Sequence, residues 1–140
     1  MKILPYLLLL GAGLASCQHG ADPLTAAPAA DSLVGTWQLT SLQSSRPATG
    51  AVPNQQLTLD ANQHFQFLTD GQLTAEGTYA ASTGSACSQA ASAEPLLTLT
   101  AATPGTYAPS GNYTLTSGTT LVIDGCLAAD GPRYTFRRLR

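Results

Sequence analysis

From residue 32 onward the chain alternates apolar and polar side chains in short runs, the pattern of strands with one face against a core. The runs are Leu33 to Leu42, Gln56 to Leu59, His64 to Phe67, Leu73 to Tyr79, Leu97 to Thr100, Asn112 to Leu115, Thr119 to Asp124 and Arg133 to Leu139. Turn chemistry separates them. Asp60-Ala61-Asn62-Gln63, Asp70-Gly71, Ser117-Gly118 and Asp130-Gly131-Pro132 each fall between two runs. Asp, Asn and Gly are the residues that tolerate turn and left-handed backbone geometry. Asp70-Gly71 in particular is a strong signal for a short hairpin. Helical periodicity is nearly absent. Only the Ala-rich stretch Ser85 to Glu94 is expected to hold a helical turn.

About eight short strands with sequential tight turns predict an all-β fold, an antiparallel up-and-down barrel. A two-sheet sandwich is the alternative. Each run has one apolar face, which argues against a parallel sheet buried on both sides. The chain carries no internal repeat.

The first residues are different in kind. Lys2 is followed by the apolar run Ile3 to Leu14. A membrane span needs roughly 20 such residues, so this run fits the core of a signal peptide better. It ends in Leu14-Ala15-Ser16-Cys17, which resembles the lipobox of bacterial lipoproteins. The resemblance implies cleavage before Cys17, acylation of Cys17 and anchoring in the cell envelope. Two acyl chains on one cysteine give stable membrane attachment where one would not. Gln18, a non-acidic residue after the cysteine, points within that family to the outer membrane. Residues 18–31 are Ala/Pro-rich without periodicity and read as a flexible tether. The expected organisation is a signal peptide over 1–16, a lipid-anchored tether over 17–31 and a barrel domain over 32–140.

The barrel domain has its own resemblance. Leu33-Val34-Gly35-Thr36-Trp37 looks like the Gly-x-Trp opening of lipocalin-like domains, and the chain ends in Tyr134-Thr135-Phe136-Arg137-Arg138-Leu139. In that family the tryptophan closes the barrel floor and an arginine of the last strand packs across it. Strand alternation puts Arg138 on the face of Tyr134 and Phe136, so Trp37 and Arg138 are the expected floor pair if those aromatics point inward. A ligand pocket, if the family's use of the barrel carries over, would be lined by Phe65, Phe67, Tyr113 and Phe136. The chain is shorter than full-size lipocalins and lacks their second and third motifs and their C-terminal helix.

Cysteine and charge change the picture in two places. With Cys17 taken by lipid, Cys87 and Cys126 remain, and an exported protein with an even pair is expected to join them in a disulfide. Without Lys2 the chain has five basic residues, all arginine, against eight acidic ones. An acidic exported chain is no nucleic-acid binder. Four of those arginines lie in the last stretch: Arg133, Arg137, Arg138 and Arg140. They read first as a charged last strand that protects a sheet edge and supplies the Trp37 partner. An anion-binding patch is the competing reading. His19 and His64 stand apart from any cluster with metal-ligand spacing, and no metal or cofactor is expected. Gly-x-Ser-x-Gly, phosphate-loop and dinucleotide motifs are missing from the sequence. The aspartates sit in turns, where turn chemistry explains them. The expectation is a non-enzymatic envelope lipoprotein that binds a small apolar or amphipathic ligand. The alternative is a filled barrel that serves as a structural or protein-interaction module. No particular protein partner is indicated.

Overall fold

The computed structural model describes residues 32–45, 50–87 and 93–139. The lipobox, the tether and Arg140 lie outside these residues. Eight antiparallel strands follow one another around a closed barrel: β1 (Gly35–Gln43), β2 (Gln55–Leu59), β3 (His64–Thr69), β4 (Gln72–Gly84), β5 (Glu94–Ala101), β6 (Gly111–Thr116), β7 (Thr120–Asp124) and β8 (Arg133–Arg138). Each strand pairs with its sequence neighbours, and β8 returns to β1. Closure removes the sandwich alternative. Among the described residues the one helical turn is Leu127–Ala129; the turn expected within Ser85 to Glu94 falls mostly on residues 88–92, which lie outside the described residues. Ser85–Cys87 is non-helical, and Glu94 already belongs to β5. The Leu127–Ala129 turn forms because Cys126 and Asp130, with φ of 74° and 66°, reverse the chain on either side. The Asp124 carboxylate also accepts the Leu127 amide at 2.8 Å.

Local chemistry explains the reversals between strands. Asp70 and Gly71 have φ of 54° and 77°, and Ser117 and Gly118 have φ of 51° and 63°. Two consecutive left-handed residues make the mirror-image turn that matches strand twist, and glycine adopts it without a Cβ clash. In the β2–β3 turn, one Asp60 carboxylate oxygen accepts the amides of Asn62 and His64 at 2.9 and 2.8 Å. Two bulges bend the wall. Thr40 is the extra residue between β1 and β8, and Thr74 that between β3 and β4. Each threonine hydroxyl donates across to the facing strand, Thr40 to Thr135 O and Thr74 to Phe67 O, both at 3.0 Å. The bulge therefore keeps a hydrogen bond across the interrupted ladder.

Alternation sends one side chain in two into the barrel. Trp37 and Leu39, Leu57 and Leu59, Phe65 and Phe67, Leu97 and Leu99, Leu121 and Ile123, and Tyr134 and Phe136 form one buried cluster with Ala75. An eight-stranded barrel has an interior just wide enough for such side chains. Outward positions are largely threonine, glutamine and small residues, which suit a solvated pleated surface. The wall is weakest between β5 and β6. There only Leu96 with Asn112 and Leu97 with Gly111 are in register, and Ser110 Oγ stands in for a strand neighbour by accepting the Leu99 amide at 2.8 Å.

Candidate functional site

Three regions contain the residues that sequence reasoning selects, or the cavities of the barrel: its floor, its interior and its outer wall. At the floor, Trp37 is fully buried and its indole Nε1 donates to Leu33 O at 2.9 Å. Trp37 and Arg138 are direct cross-strand partners of β1 and β8. The Arg138 guanidinium carbon lies 4.2 Å from the centre of the Trp37 ring. Its nitrogens donate to the carbonyls of Val34 (2.7 Å), Ser32 and Gly118. The positive fork thus satisfies three backbone carbonyls while its face covers an aromatic ring. Burial lowers the Arg138 pKa somewhat. The arrangement ties together the entry of the domain, the β6–β7 turn and the last strand.

In the interior, Phe136 is 0%, Phe65 1% and Phe67 3% exposed. These three side chains belong to the packed core. Tyr113 is half-buried against the same cluster. At the far end of the core Tyr134 stacks on Phe136, ring centres 6.1 Å apart. Its hydroxyl meets that of Tyr107, from the β5–β6 loop, at 2.6 Å. Burial, then the Tyr107 hydroxyl, raises the Tyr134 pKa above the usual phenol range. Pro109, from the same loop, is also fully buried. Sequence reasoning passed over Tyr107, because a tyrosine in a Pro/Gly loop carries no periodic signal.

Three cavities open on the outer wall. One, of about 630 Å³, runs over β2, β3 and β4 and is lined by Thr58, Asp60, His64, Gln66, Glu76 and Thr78 among others. Of the four expected pocket residues only Phe65 borders it. A second groove of about 410 Å³ lies between Cys87, Glu94, Asn112 and the Asp124–Arg133 pair. A third, about 180 Å³, sits beside Leu73 and Thr106. Three of the titratable groups in these grooves, Asp60, Asp124 and Arg133, are occupied structurally. Asp60 caps its turn, as above. Asp124 Oδ2 accepts Arg133 Nε at 3.0 Å. Burial alone would raise the Asp124 pKa, but the hydrogen bonds from Arg133, Leu127 and Cys126 together with the arginine charge hold it below the ordinary value. Among the described residues no three His, Cys, Asp or Glu side chains gather closely enough for a metal ion.

The two remaining cysteines meet. Cys87 and Cys126 are joined by a disulfide with Cα atoms 5.1 Å apart. Asn112 binds the same region. Its side chain accepts the Ala86 amide at 2.7 Å and donates to Gly84 O at 2.9 Å and Pro95 O at 3.2 Å. Nothing in the sequence singles out Asn112 for this task, since a lone asparagine at a strand start has no local signature.

Comparison with known proteins finds no matching family model, no similar curated protein and no similar solved structure.

Proposed function

We propose that the chain is a non-enzymatic, lipid-anchored envelope protein whose lipocalin-like barrel is a filled scaffold, presenting its outer wall and loops to a protein partner. The observation that carries this reading is the state of Phe65, Phe67 and Phe136. They are three of the four aromatics expected to line an internal pocket, and all three are buried in one continuous core with Trp37, against which the fourth, Tyr113, is half-buried. The described cavities open on the outside instead, over polar side chains. That arrangement favours the scaffold over a carrier of an apolar molecule. The anchor rests on the Leu14-Ala15-Ser16-Cys17 lipobox, and the outer-membrane assignment on Gln18.

The test compares the full chain with Cys17→Ser in bacterial cells supplied with radiolabelled palmitate. The parent chain is expected to take up label and sediment with membranes. Cys17→Ser is expected to do neither. Unlabelled, freely released parent protein would end the lipoprotein reading. Cross-linking in intact cells that captured no second polypeptide would end the interaction reading.

A further inference from the structure

The barrel wall is uneven in length. The last β3–β4 partners are His64 and Thr78, and the Tyr79 amide then donates to Gln63 O at 2.8 Å. From there β4 runs on alone with β5, Ala80 opposite Thr98 through to Gly84 opposite Glu94. Backbone groups in an antiparallel strand face its two neighbours alternately. Tyr79 bonds on the β3 side, whereas Glu76 O accepts Ala102 N from the β5 side at 2.8 Å. Beyond the Thr74 bulge, odd-numbered residues of β4 therefore turn to β3 and even-numbered ones to β5. The N–H and C=O of Ala81 and Thr83 face the side where β3 has ended. Among the described residues no strand pairs with them there. Ala80, Ala81, Ser82 and Thr83 are all exposed.

Natural sheet edges are usually blunted by charge, proline or a bulge. This edge, Ala80-Ala81-Ser82-Thr83-Gly84, has none of them. A two-stranded ribbon is also marginal in water without a core. Here the Cys87–Cys126 disulfide and the three Asn112 hydrogen bonds hold its tip in place. The result is a fixed, neutral, unprotected strand edge.

We propose that this edge is a docking surface for a second copy of the chain, β4 against β4, antiparallel about a two-fold axis at Ser82. A two-fold contact requires a self-complementary patch. With Ser82 opposite its mate, Ala81 falls opposite Thr83 of the copy, and these two exchange N–H and C=O bonds in both directions. The side chains that meet are methyls and hydroxyls, so no like charges face each other along the edge. The nearest acidic residue on the ribbon, Glu94, lies on β5 across from Gly84. A pairing this short buries less than the roughly 1,200–2,000 Å² of a standard stable interface. The dimer is therefore weak in dilute solution and forms where copies are concentrated. Only that concentrating step rests on the membrane anchor proposed above; the geometry of the edge does not.

The test is cysteine cross-linking of the full chain. In the paired state the two Ser82 Cα atoms are about 4.5 Å apart, within disulfide range. Ser82→Cys under mild oxidation is expected to give a covalent dimer, in concentrated protein and in membranes. Thr98→Cys, exposed on the neighbouring strand, is expected to stay monomeric. Adding Thr83→Pro to Ser82→Cys removes an outward N–H from each copy without touching the β5 ladder, and weakens association about tenfold or more. Should the proline variant fail to melt like the parent, Thr83→Lys places like charges on the edge and serves the same purpose. Running the series with Cys17→Ser keeps the questions apart: dimer in concentrated protein reports on the edge, and sedimentation with membranes on the anchor. A Ser82→Cys chain that cross-links no faster than Thr98→Cys overturns the proposal. So does a cross-link to a different polypeptide.

Discussion

At the residue scale the floor pair and one surface ion pair set the clearest expectations. Arg138 donates to three carbonyls and covers Trp37. Arg138→Ala should destabilise the domain by roughly 3 kcal/mol, because charge-assisted hydrogen bonds and a cation–aromatic contact are lost together. Arg138→Lys should recover only part, since an ammonium cannot reproduce the fork. Denaturant titration followed by Trp37 fluorescence measures both. This pair was legible in the sequence, because alternation along Tyr134-Thr135-Phe136-Arg137-Arg138 leaves one arginine on the aromatic face. Asn112 was not legible, because its partners are brought together by the curl of a distant hairpin. Asp124 gives a pH expectation. Its folded pKa is depressed, so the unfolded chain binds the extra proton, and the stability it contributes is present above about pH 4 and lost as pH falls below that. Asp124→Asn should flatten this acid-side loss in melting curves recorded at successive pH values. For Tyr134 the sign is opposite. Its raised pKa contributes stability below about pH 10 that is lost as pH rises further.

At the element scale the staple and the close packing of strands matter most. The Cys87–Cys126 bond spans 39 residues, and closing such a loop stabilises by about 4 kcal/mol in the chain-entropy model. Replacing both cysteines with serine should lower the melting temperature sharply and raise hydrogen exchange first in Ala80–Gly84 and Glu94–Thr98. Equal exchange in both forms would show that the ribbon holds itself. Gly77 makes a second expectation. A Cβ there would stand 2.0 Å from Thr100 O, so Gly77→Ala must push β4 from β5 and should cost about 2 kcal/mol or more, read as a shifted denaturant midpoint. Elements with strong alternation and local turn chemistry could be read ahead of the structure. The β2–β3, β3–β4 and β6–β7 turns are of this kind, each fixed by residues within the turn. The extension of β4 could not be read. Ala80-Ala81-Ser82-Thr83-Gly84 has no apolar face to alternate, and only its pairing with β5 makes it a strand. The bulges at Thr40 and Thr74 were hidden for a related reason, since a one-residue shift shows only when the partner strand is known.

At the scale of the whole molecule the question is what a small closed barrel is for. Its interior is occupied by Trp37, Phe65, Phe67, Tyr134, Phe136 and leucines from most of the wall. The fold class was legible because eight alternating runs with short turns close most simply as an up-and-down barrel. Whether the barrel was filled was not legible, because filling depends on how strand tilt and register bring inward side chains together. Truncating the core should be costly: Phe136→Ala is expected to lose roughly 3–5 kcal/mol, seen in denaturant titration. A ligand pocket would tolerate that change far better. The most direct test of a filled scaffold is native mass spectrometry of the protein released from bacterial membranes. A filled, lipid-anchored scaffold gives the processed polypeptide with its acylated Cys17 and intact Cys87–Cys126 bond, and no further small molecule. A discrete additional mass that leaves on denaturation, and whose rebinding shifts Trp37 fluorescence, would contradict it and make the barrel a carrier.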